Sequence, residues 1–257
     1  MPDTLWPRLR EQAAAAGLNL AWVVPRAAID PLFAGLASDS VTPAALHPRY
    51  RCALVLGSAG PALWRRLRAA RGTGAGTVPD PAAHPVDRHS ERTVEALAAA
   101  LRPADPALVT VYPFRHARQL LGFARLLGPA PWLASAPFGV AIEPQAGPWW
   151  ALRGALLTAL EVSPAAPAGA SPCTPCPAPC EAACPAGAVH RAGFDWRTCA
   201  DFRLAPASPC RATCLARLAC PVGRAQRYDL DAIAHHYSAS LRELQAARHG
   251  DALKADG

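Results

Sequence analysis

The sequence predicts an α+β domain, α/β-like in the order of its elements, followed by a small cysteine-rich module and a C-terminal helix. Helix-like and strand-like stretches alternate over residues 1–162, and a Pro/Ala/Gly-rich linker occupies 163–172. The module at 173–228 contains eight of the nine cysteines, and residues 229–250 repeat apolar positions with helical spacing. These observations divide the chain into a first domain, a linker, a cysteine module and a last helix.

The elements of the first domain follow from its apolar runs and turn residues. Amphipathic stretches that open on a cap or a proline predict helices: LWPRLREQAAAAG, PALWRRLRAA, HSERTVEALAAALR and HARQLLGFARLLG. Short apolar runs between turn residues predict strands: LNLAWVVP, CALVLG and ALVTVYPF. Two further apolar segments, FGVAIE and WWALRGALLTALEV, complete one layered core.

Composition limits the functions that are open to the chain. Its 257 residues, 51% of them hydrophobic, suffice for one large core and an appendage. No apolar run approaches the length of a membrane span, and no secretory signal opens the sequence, so we expect a cytoplasmic protein with no membrane partner. The net charge of +7 comes from scattered arginines, with Lys254 the one lysine. This pattern favours a solvated surface, and a nucleic-acid partner is not expected.

The clustered cysteines allow disulfides, zinc sites or iron–sulfur clusters. Stable disulfides are rare in the cytoplasm, and zinc sites use four ligands, usually in two close pairs. The first block is C-x2-C-x3-C-x3-C-P, and a lone cysteine precedes a second block, C-x3-C-x5-C-P. Bacterial ferredoxins use a similar run ending in Cys-Pro, in which three thiolates bind one cluster and the fourth binds the other. The spacing therefore favours two [4Fe–4S] clusters over two zinc sites or disulfides.

The ferredoxin pattern also predicts which thiolates share a cluster. The first set consists of Cys173, Cys176, Cys180 and Cys220. The second set consists of Cys184, Cys199, Cys210 and Cys214. Cys52 lies in a strand-like run and is predicted to be a buried apolar residue. Because the module has few large apolar residues, we expect its fold to depend on bound metal.

The cysteine module resembles the ferredoxin-like tail of the epoxyqueuosine reductases in CTPCPAPCEAACPAGAV and WRTCADF. The first domain resembles the cobalamin-processing CblC protein in LVLGSAGPALWRRLR, HPVDRHSERTVEAL and IEPQAGPWWALRGALLTALEV. Both resemblances imply the architecture that these reductases share with the reductive dehalogenases. In it, a nitroreductase-like, cobalamin-binding domain precedes a ferredoxin-like module with two [4Fe–4S] clusters.

The resemblance to CblC implies a corrinoid-binding segment around Gly147, Trp149 and Arg153. Gly147 would let the backbone approach the flat macrocycle, and Trp149 would stack on it. Arg153 matches the arginine of the CblC segment, which contacts a thiol cosubstrate or the surroundings of the cofactor. The segment departs from the families at Glu143, where both have a histidine before the retained Pro144.

The catalytic candidates are Asp87, His89 and Tyr112, and His116 is considered beside Tyr112 as a proton donor. Asp87 and His89 match an Asp-x-His that precedes a helix in the reductases, although Asp87 also suits the N-cap of that helix. Tyr112 is a candidate proton donor, as is His116. The stretch VYPFRHARQLL lacks the aspartate proton donor of the epoxyqueuosine reductases, so queuosine synthesis is not expected.

The sequence thus predicts a cytoplasmic iron–sulfur oxidoreductase. Electrons from an external donor such as a ferredoxin or flavodoxin would pass through two [4Fe–4S] clusters to a bound cobalamin or to a small-molecule substrate. The alternative is a non-enzymatic, ferredoxin-like electron carrier without a corrinoid.

Overall fold

A four-stranded antiparallel sheet forms the centre of the first domain in the computed structural model. The model describes residues 5–35, 41–70, 84–116, 123–130, 137–165 and 169–255, with the side chains of residue 116 and of those after 248 left out. The strands are β1 (Leu20–Pro25), β2 (Cys52–Ala59), β3 (Val109–Val111) and β4 (Trp150–Thr158). Their order is β1-β2-β4-β3, and every neighbouring pair is antiparallel.

Strand β2 is buried along its whole length, because β1 and β4 flank it and apolar layers cover both of its faces. Leu54 and Leu56 belong to one core, and Ala53 and Val55 belong to the other. This alternation follows from the two-residue period of a strand, and it explains why the sequence of β2 is apolar throughout. Cys52 is buried at the start of the strand, as predicted.

Helices cover the sheet, and two of them set the position of the candidate site. The helices of the first domain are α1 (Leu5–Ala15), α2 (Arg26–Ile29), α3 (Pro43–Leu46), α4 (Ala62–Ala69), α5 (Pro85–Leu101) and α6 (Pro113–His116). Helices α1, α4 and α5 contribute to the same core as Leu54. A 3-10 turn at Phe123–Leu127 contributes to the opposite core, where the sequence predicted an α-helix that extended through residues outside the described ranges.

The cysteine module consists of short elements. They are α7 (Pro179–Ala182), β5 (Val189–His190), β6 (Gly193–Phe194), α8 (Trp196–Leu204) and α9 (Leu215–Ala219), with β5 and β6 paired antiparallel. A small apolar cluster joins the module to Phe138 and Ile142 of the first domain. The long α10 (Leu230–Ala255) follows, and its Ala232 and Ile233 are buried in the core beside α4 and α5.

Two local predictions were wrong. Helix α5 begins at Pro85, so Asp87 lies within the first turn and His84, with φ +43°, occupies the N-cap position. The proline at the first helical position suits a helix start there because its missing N–H would have no partner anyway. Leu230, predicted on the apolar face of the last helix, is 78% exposed. At this end of α10, Asp231 pairs with Arg68 of α4.

The α+β architecture predicted from the sequence is confirmed by this arrangement of helices and an antiparallel sheet. Within the described residues, none of the helices has both the length and the apolar character needed to cross a bilayer.

Candidate functional site

Two cavities lie at the cysteine module, and each is lined by four cysteines. The first, of about 350 Å³, is lined by Cys173, Cys176, Cys180 and Cys220. The second, of about 340 Å³, is lined by Cys184, Cys199, Cys210 and Cys214. These are the same two sets of four that the ferredoxin pattern groups together. Phe138 of the first domain lines both cavities and so lies between them.

Two short helices distribute the cysteines between the cavities. Helix α7 contains Cys180 of the first set, and Cys184 of the second set follows it by two residues. Helix α9 has Cys214 of the second set as its N-cap and Cys220 of the first set as its C-cap. The Cys214 sulfur accepts a hydrogen bond from the backbone N–H of Arg217 at 3.4 Å. Each helix therefore connects the two cavities.

The thiols within each set influence one another. Burial, and after it the charge of Cys220 from the same set, raises the pKa of Cys180 to about 11. Burial likewise raises the pKa of Cys199 to about 11, with Cys214 as the next cause. Four neighbouring thiolates therefore repel one another until a cationic group stands between them, and binding of metal releases the protons.

The size of the cavities distinguishes a cluster from a single ion. Each cavity is more than twenty times the ~10–15 Å³ that one buried water needs. A zinc ion lies only about 2.3 Å from each thiolate, so its four ligands nearly touch. Across the described part of the chain, no three Cys, His, Asp or Glu side chains are placed to hold a single metal ion. The cavities and their donors fit a polynuclear iron–sulfur group better than zinc.

The second cavity is the more cationic of the two. Arg203 and Arg217 line it together with His236 and Tyr237 of α10. Arg203 donates to the carbonyl of Cys210 at 3.2 Å and to the carbonyl of Tyr237 at 3.0 Å, so it ties this cavity to α10. Burial, and after it the charge of Arg153, lowers the pKa of His236 to about 3, so this imidazole is neutral at pH 7.

The predicted corrinoid segment packs against the cysteine module. Gly147 has φ +61°, and a Cβ atom there would overlap the carbonyl of Val222. A Cβ atom on Gly223 would in turn overlap the carbonyl of Ala146. Glu143 holds this turn in place, because its carboxylate accepts the backbone N–H of Ala146 at 2.6 Å. The two backbones thus meet without a side chain between them.

Trp149 is 1% exposed and is covered by residues of the module. The guanidinium of Arg217 lies 4.6 Å from the centroid of the Trp149 ring, and the ring of Tyr228 lies 5.6 Å away. Arg217 also donates to the carbonyl of Pro148 at 2.5 Å. The face of Trp149 that a macrocycle would need is therefore in contact with protein.

Arg153 projects from β4 into a narrow cleft beside α4 and α10. Its Nε donates to the hydroxyl of Ser58 at 2.8 Å, and Trp64, Tyr228 and His236 line the same cleft. Burial lowers the pKa of Arg153, while Tyr228 and Asp87 act in the opposite direction. This cleft adjoins the second cavity, because His236 lines both.

The structure does not bring the three catalytic candidates together. Burial raises the pKa of the Asp87 carboxyl, and the nearby charge of Arg153 acts in the opposite direction. His89 instead contacts the carbonyl of Ala16 at 2.8 Å, at the end of α1. Tyr112 donates to Glu95 at 2.8 Å and is 2% exposed, and burial raises its pKa. The side chain of His116 is outside the described part.

Solved structures of epoxyqueuosine reductases superimpose on this chain. A selenomethionine-labelled epoxyqueuosine reductase superimposes with a TM-score of 0.58 at 17% identity, over 88% of this chain and 67% of that chain. The reductase from Bacillus subtilis gives 0.56 at 18% identity, over 88% of this chain and 67% of that one. A reductase solved with an epoxyqueuosine-modified tRNA stem loop gives 0.52 at 18% identity, over 90% and 68%. This chain has the fold of epoxyqueuosine reductase.

The match with epoxyqueuosine reductase spans both the first domain and the cysteine module. No protein family and no curated protein matches the sequence. A CblC protein from C. elegans, described as a B12-trafficking protein, reaches a TM-score of 0.46 at 11% identity over 66% of this chain and 74% of that one. That likeness is too weak to support a corrinoid.

Several residues of the site carry no local signal in the sequence. The sequence gives no sign of a site at four of them, which are Trp64, Arg217, Tyr228 and His236. Glu143 stood out only as a departure from the family histidine. Its role in the turn is seen only in the structure, where its carboxylate accepts hydrogen bonds from two backbone N–H groups.

Proposed function

We propose that this chain is an iron–sulfur oxidoreductase that holds one [4Fe–4S] cluster in each of its two cysteine-lined cavities. The observation that carries the proposal is the agreement between two independent groupings. The spacing of the cysteines along the chain divides them into two sets of four, and the two cavities divide them in the same way. The fold shared with epoxyqueuosine reductase supports an enzyme rather than a simple carrier.

A [4Fe–4S] cluster, when bound, accepts and donates one electron at a time. The chain's own residues would set the potentials of the two centres. One backbone N–H bonds to a cysteine sulfur in each set, Cys176 in the first and Cys214 in the second, so these bonds do not separate the two centres. In the second cavity, the cationic side chains of Arg203 and Arg217 favour added negative charge. The first cavity has Arg191 as its charged lining residue. The second centre would therefore have the higher potential, and electrons would pass from the first cavity to the second.

The acceptor beyond the second centre would lie near the cleft of Arg153, because His236 is shared between that cleft and the second cavity. Cobalamin was the acceptor expected from the sequence. The described residues do not fit it as arranged, because Gly147 abuts Val222 and Trp149 is covered by Arg217. A corrinoid in contact with this segment would first have to separate the module from the turn.

A nucleic-acid substrate is suggested by the similar reductase that was solved with a tRNA stem loop. That structure weighs against the expectation that nucleic acid is not a partner. A tRNA stem loop is therefore the first nucleic acid to test, by filter binding at increasing salt. Phosphate contacts would give an affinity that falls steeply as the salt concentration rises.

The test of the clusters is anaerobic reconstitution followed by analysis of iron and sulfide. Two [4Fe–4S] clusters require about eight iron and eight sulfide per chain. Cys173→Ser, in the first set, and Cys210→Ser, in the second, should each lose about half of the iron. Cys52→Ser is the matched control, because Cys52 is buried in β2 away from both cavities. Two zinc ions per chain with no iron would overturn the proposal.

The test of the acceptor is a titration of cob(II)alamin into the reconstituted protein, followed by visible spectroscopy. A spectral shift that Trp149→Ala changes would support a corrinoid near this segment. No shift in the wild type, together with a full iron content, would exclude the corrinoid and leave the cluster assignment intact.

A further inference from the structure

The cleft at Arg153 contains polar groups that lack partners. Among the described residues, neither the Trp64 Nε1–H nor the Tyr228 hydroxyl has a hydrogen-bond partner, and both groups are buried. Their residues are 3% and 8% exposed, and both line the cleft beside the guanidinium of Arg153. Buried polar groups without partners are rare in native proteins, and leaving one unsatisfied costs about 1–3 kcal/mol. These groups indicate a ligand.

The donors in the cleft favour a ligand that accepts hydrogen bonds. An indole N–H and a guanidinium can only donate hydrogen bonds, and a tyrosine hydroxyl can donate one. Arg153 uses its Nε–H on Ser58, and within the described residues it forms no ion pair with a carboxylate. Asp87 acts on Arg153 only as a more distant charge. The neutral imidazole of His236 offers the cleft one acceptor nitrogen. The donors outnumber this acceptor, and no carboxylate among the described residues pairs with the charge of Arg153.

The size of the cleft selects a small group. Its volume is about 10 Å³, which is about the space that one water needs. A water would satisfy the donors but would leave the charge of Arg153 unpaired in a poorly solvated place, which is costly. An anion of similar size would satisfy the donors and pair the charge.

We propose that this cleft binds one small anion, either a halide ion or one oxygen of a small carboxylate. The site is independent of the clusters proposed above, since none of the eight cysteines lines it. It lies against the second cavity through His236, so the anion would also stand beside the path that electrons take if the clusters are present.

The experiment measures thermal unfolding of the full chain, reconstituted anaerobically, in sodium bromide and in sodium formate. An anion present at about ten times its Kd should raise the midpoint by roughly 3–6 °C in a chain of this size. Arg153→Gln should abolish that rise. Arg66→Gln is the matched control for general salt effects, because Arg66 is exposed on α4 and does not line the cleft. Iron content is measured in parallel, so that loss of clusters is separated from loss of the anion.

Tyr228→Phe provides a second variant if Arg153→Gln fails to fold, because it removes only one hydroxyl. It should weaken anion binding by about two- to tenfold. A bromide peak in the cleft, seen by anomalous diffraction from soaked crystals, would locate the ion directly. A response to bromide alone identifies a halide site, and a response to formate alone identifies a carboxylate site. Equal responses in the wild type and in all three variants would overturn the proposal.

Discussion

Replacement of Gly147 by alanine tests how the cysteine module is attached to the first domain. Gly147 has φ +61°, and an L-residue there pays about 1–2 kcal/mol for the left-handed conformation. The added methyl group would also overlap the carbonyl of Val222, which lies in a backbone that cannot simply turn aside. Forcing such a group into a packed contact costs about 1–3 kcal/mol more. The expected total is about 2–5 kcal/mol.

Gly35 provides the matched control for this experiment. It has φ +74°, and a Cβ atom there would meet nothing within 4 Å. Gly35→Ala therefore carries the conformational cost without the overlap. The difference between the two variants in free energy of unfolding, measured by urea titration of the reconstituted protein, isolates the contact between Gly147 and Val222.

The iron content gives a second measurement on the same variants. Val222 lies two residues after Cys220, so displacement of its carbonyl should also move a ligand of the first set. We expect Gly147→Ala to lose iron from the first cavity while Gly35→Ala keeps all of it. Equal stabilities and equal iron contents in the two variants would refute the reasoning that this glycine joins the module to the first domain.

Two further substitutions test other contacts. Arg217→Lys should lower the free energy of unfolding by about 1–3 kcal/mol, because an ammonium cannot cover Trp149 with a flat face while donating to Pro148. Urea titration measures this loss. Arg211→Lys should lose less, because Arg211 donates to the carbonyls of Leu204 and Ala205 and, among the described residues, stacks on no aromatic ring. An equal loss in both variants would contradict the role given to Arg217. Asp105→Asn tests a buried network in which burial alone would raise the carboxyl pKa, but hydrogen bonds from Thr158 and Ala159 and the nearby His47 lower it. Because the folded pKa is lowered, the charge of Asp105 stabilises the fold above the unfolded value of about 3.9, and that contribution disappears as the pH falls through the folded value. The gap in stability between wild type and Asp105→Asn should therefore be largest near pH 7 and should shrink as the pH falls below about 3.9 in acid titrations followed by circular dichroism, whereas a gap that does not vary with pH would contradict the lowered pKa.

The sequence was sufficient for those features that depend on local patterns. The apolar run of β2, the amphipathic helices α1, α4 and α5, and the two sets of cysteines all follow from residue spacing within one segment. The N-cap of α5 was predicted three residues too late, at Asp87 instead of His84, because Pro85 and Asp87 are both acceptable near a helix N-terminus and spacing does not choose between them.

Features that depend on distant contacts could not be predicted in this way. From the sequence alone, a glycine at position 147 fits any close approach of its backbone, either to a macrocycle or to another backbone segment. Only the fold shows that Val222 is in contact with this position. The exposure of Leu230 was missed for the same reason. Helical spacing places this residue on the apolar face of α10, but it does not show whether another element covers that end of the helix.

Helix α9 bears on how the module would fail under oxidative damage. One of its ends contributes Cys214 to the second cavity and the other contributes Cys220 to the first, and α7 bridges the two cavities in a similar way. If both cavities hold clusters, oxygen that destroys one of them releases an end of each helix that anchors the other. The surviving cluster should then give up its iron to a chelator faster than it does in the intact protein. The one-cluster form would keep its remaining centre, but that centre would be lost more easily than either centre of the intact pair.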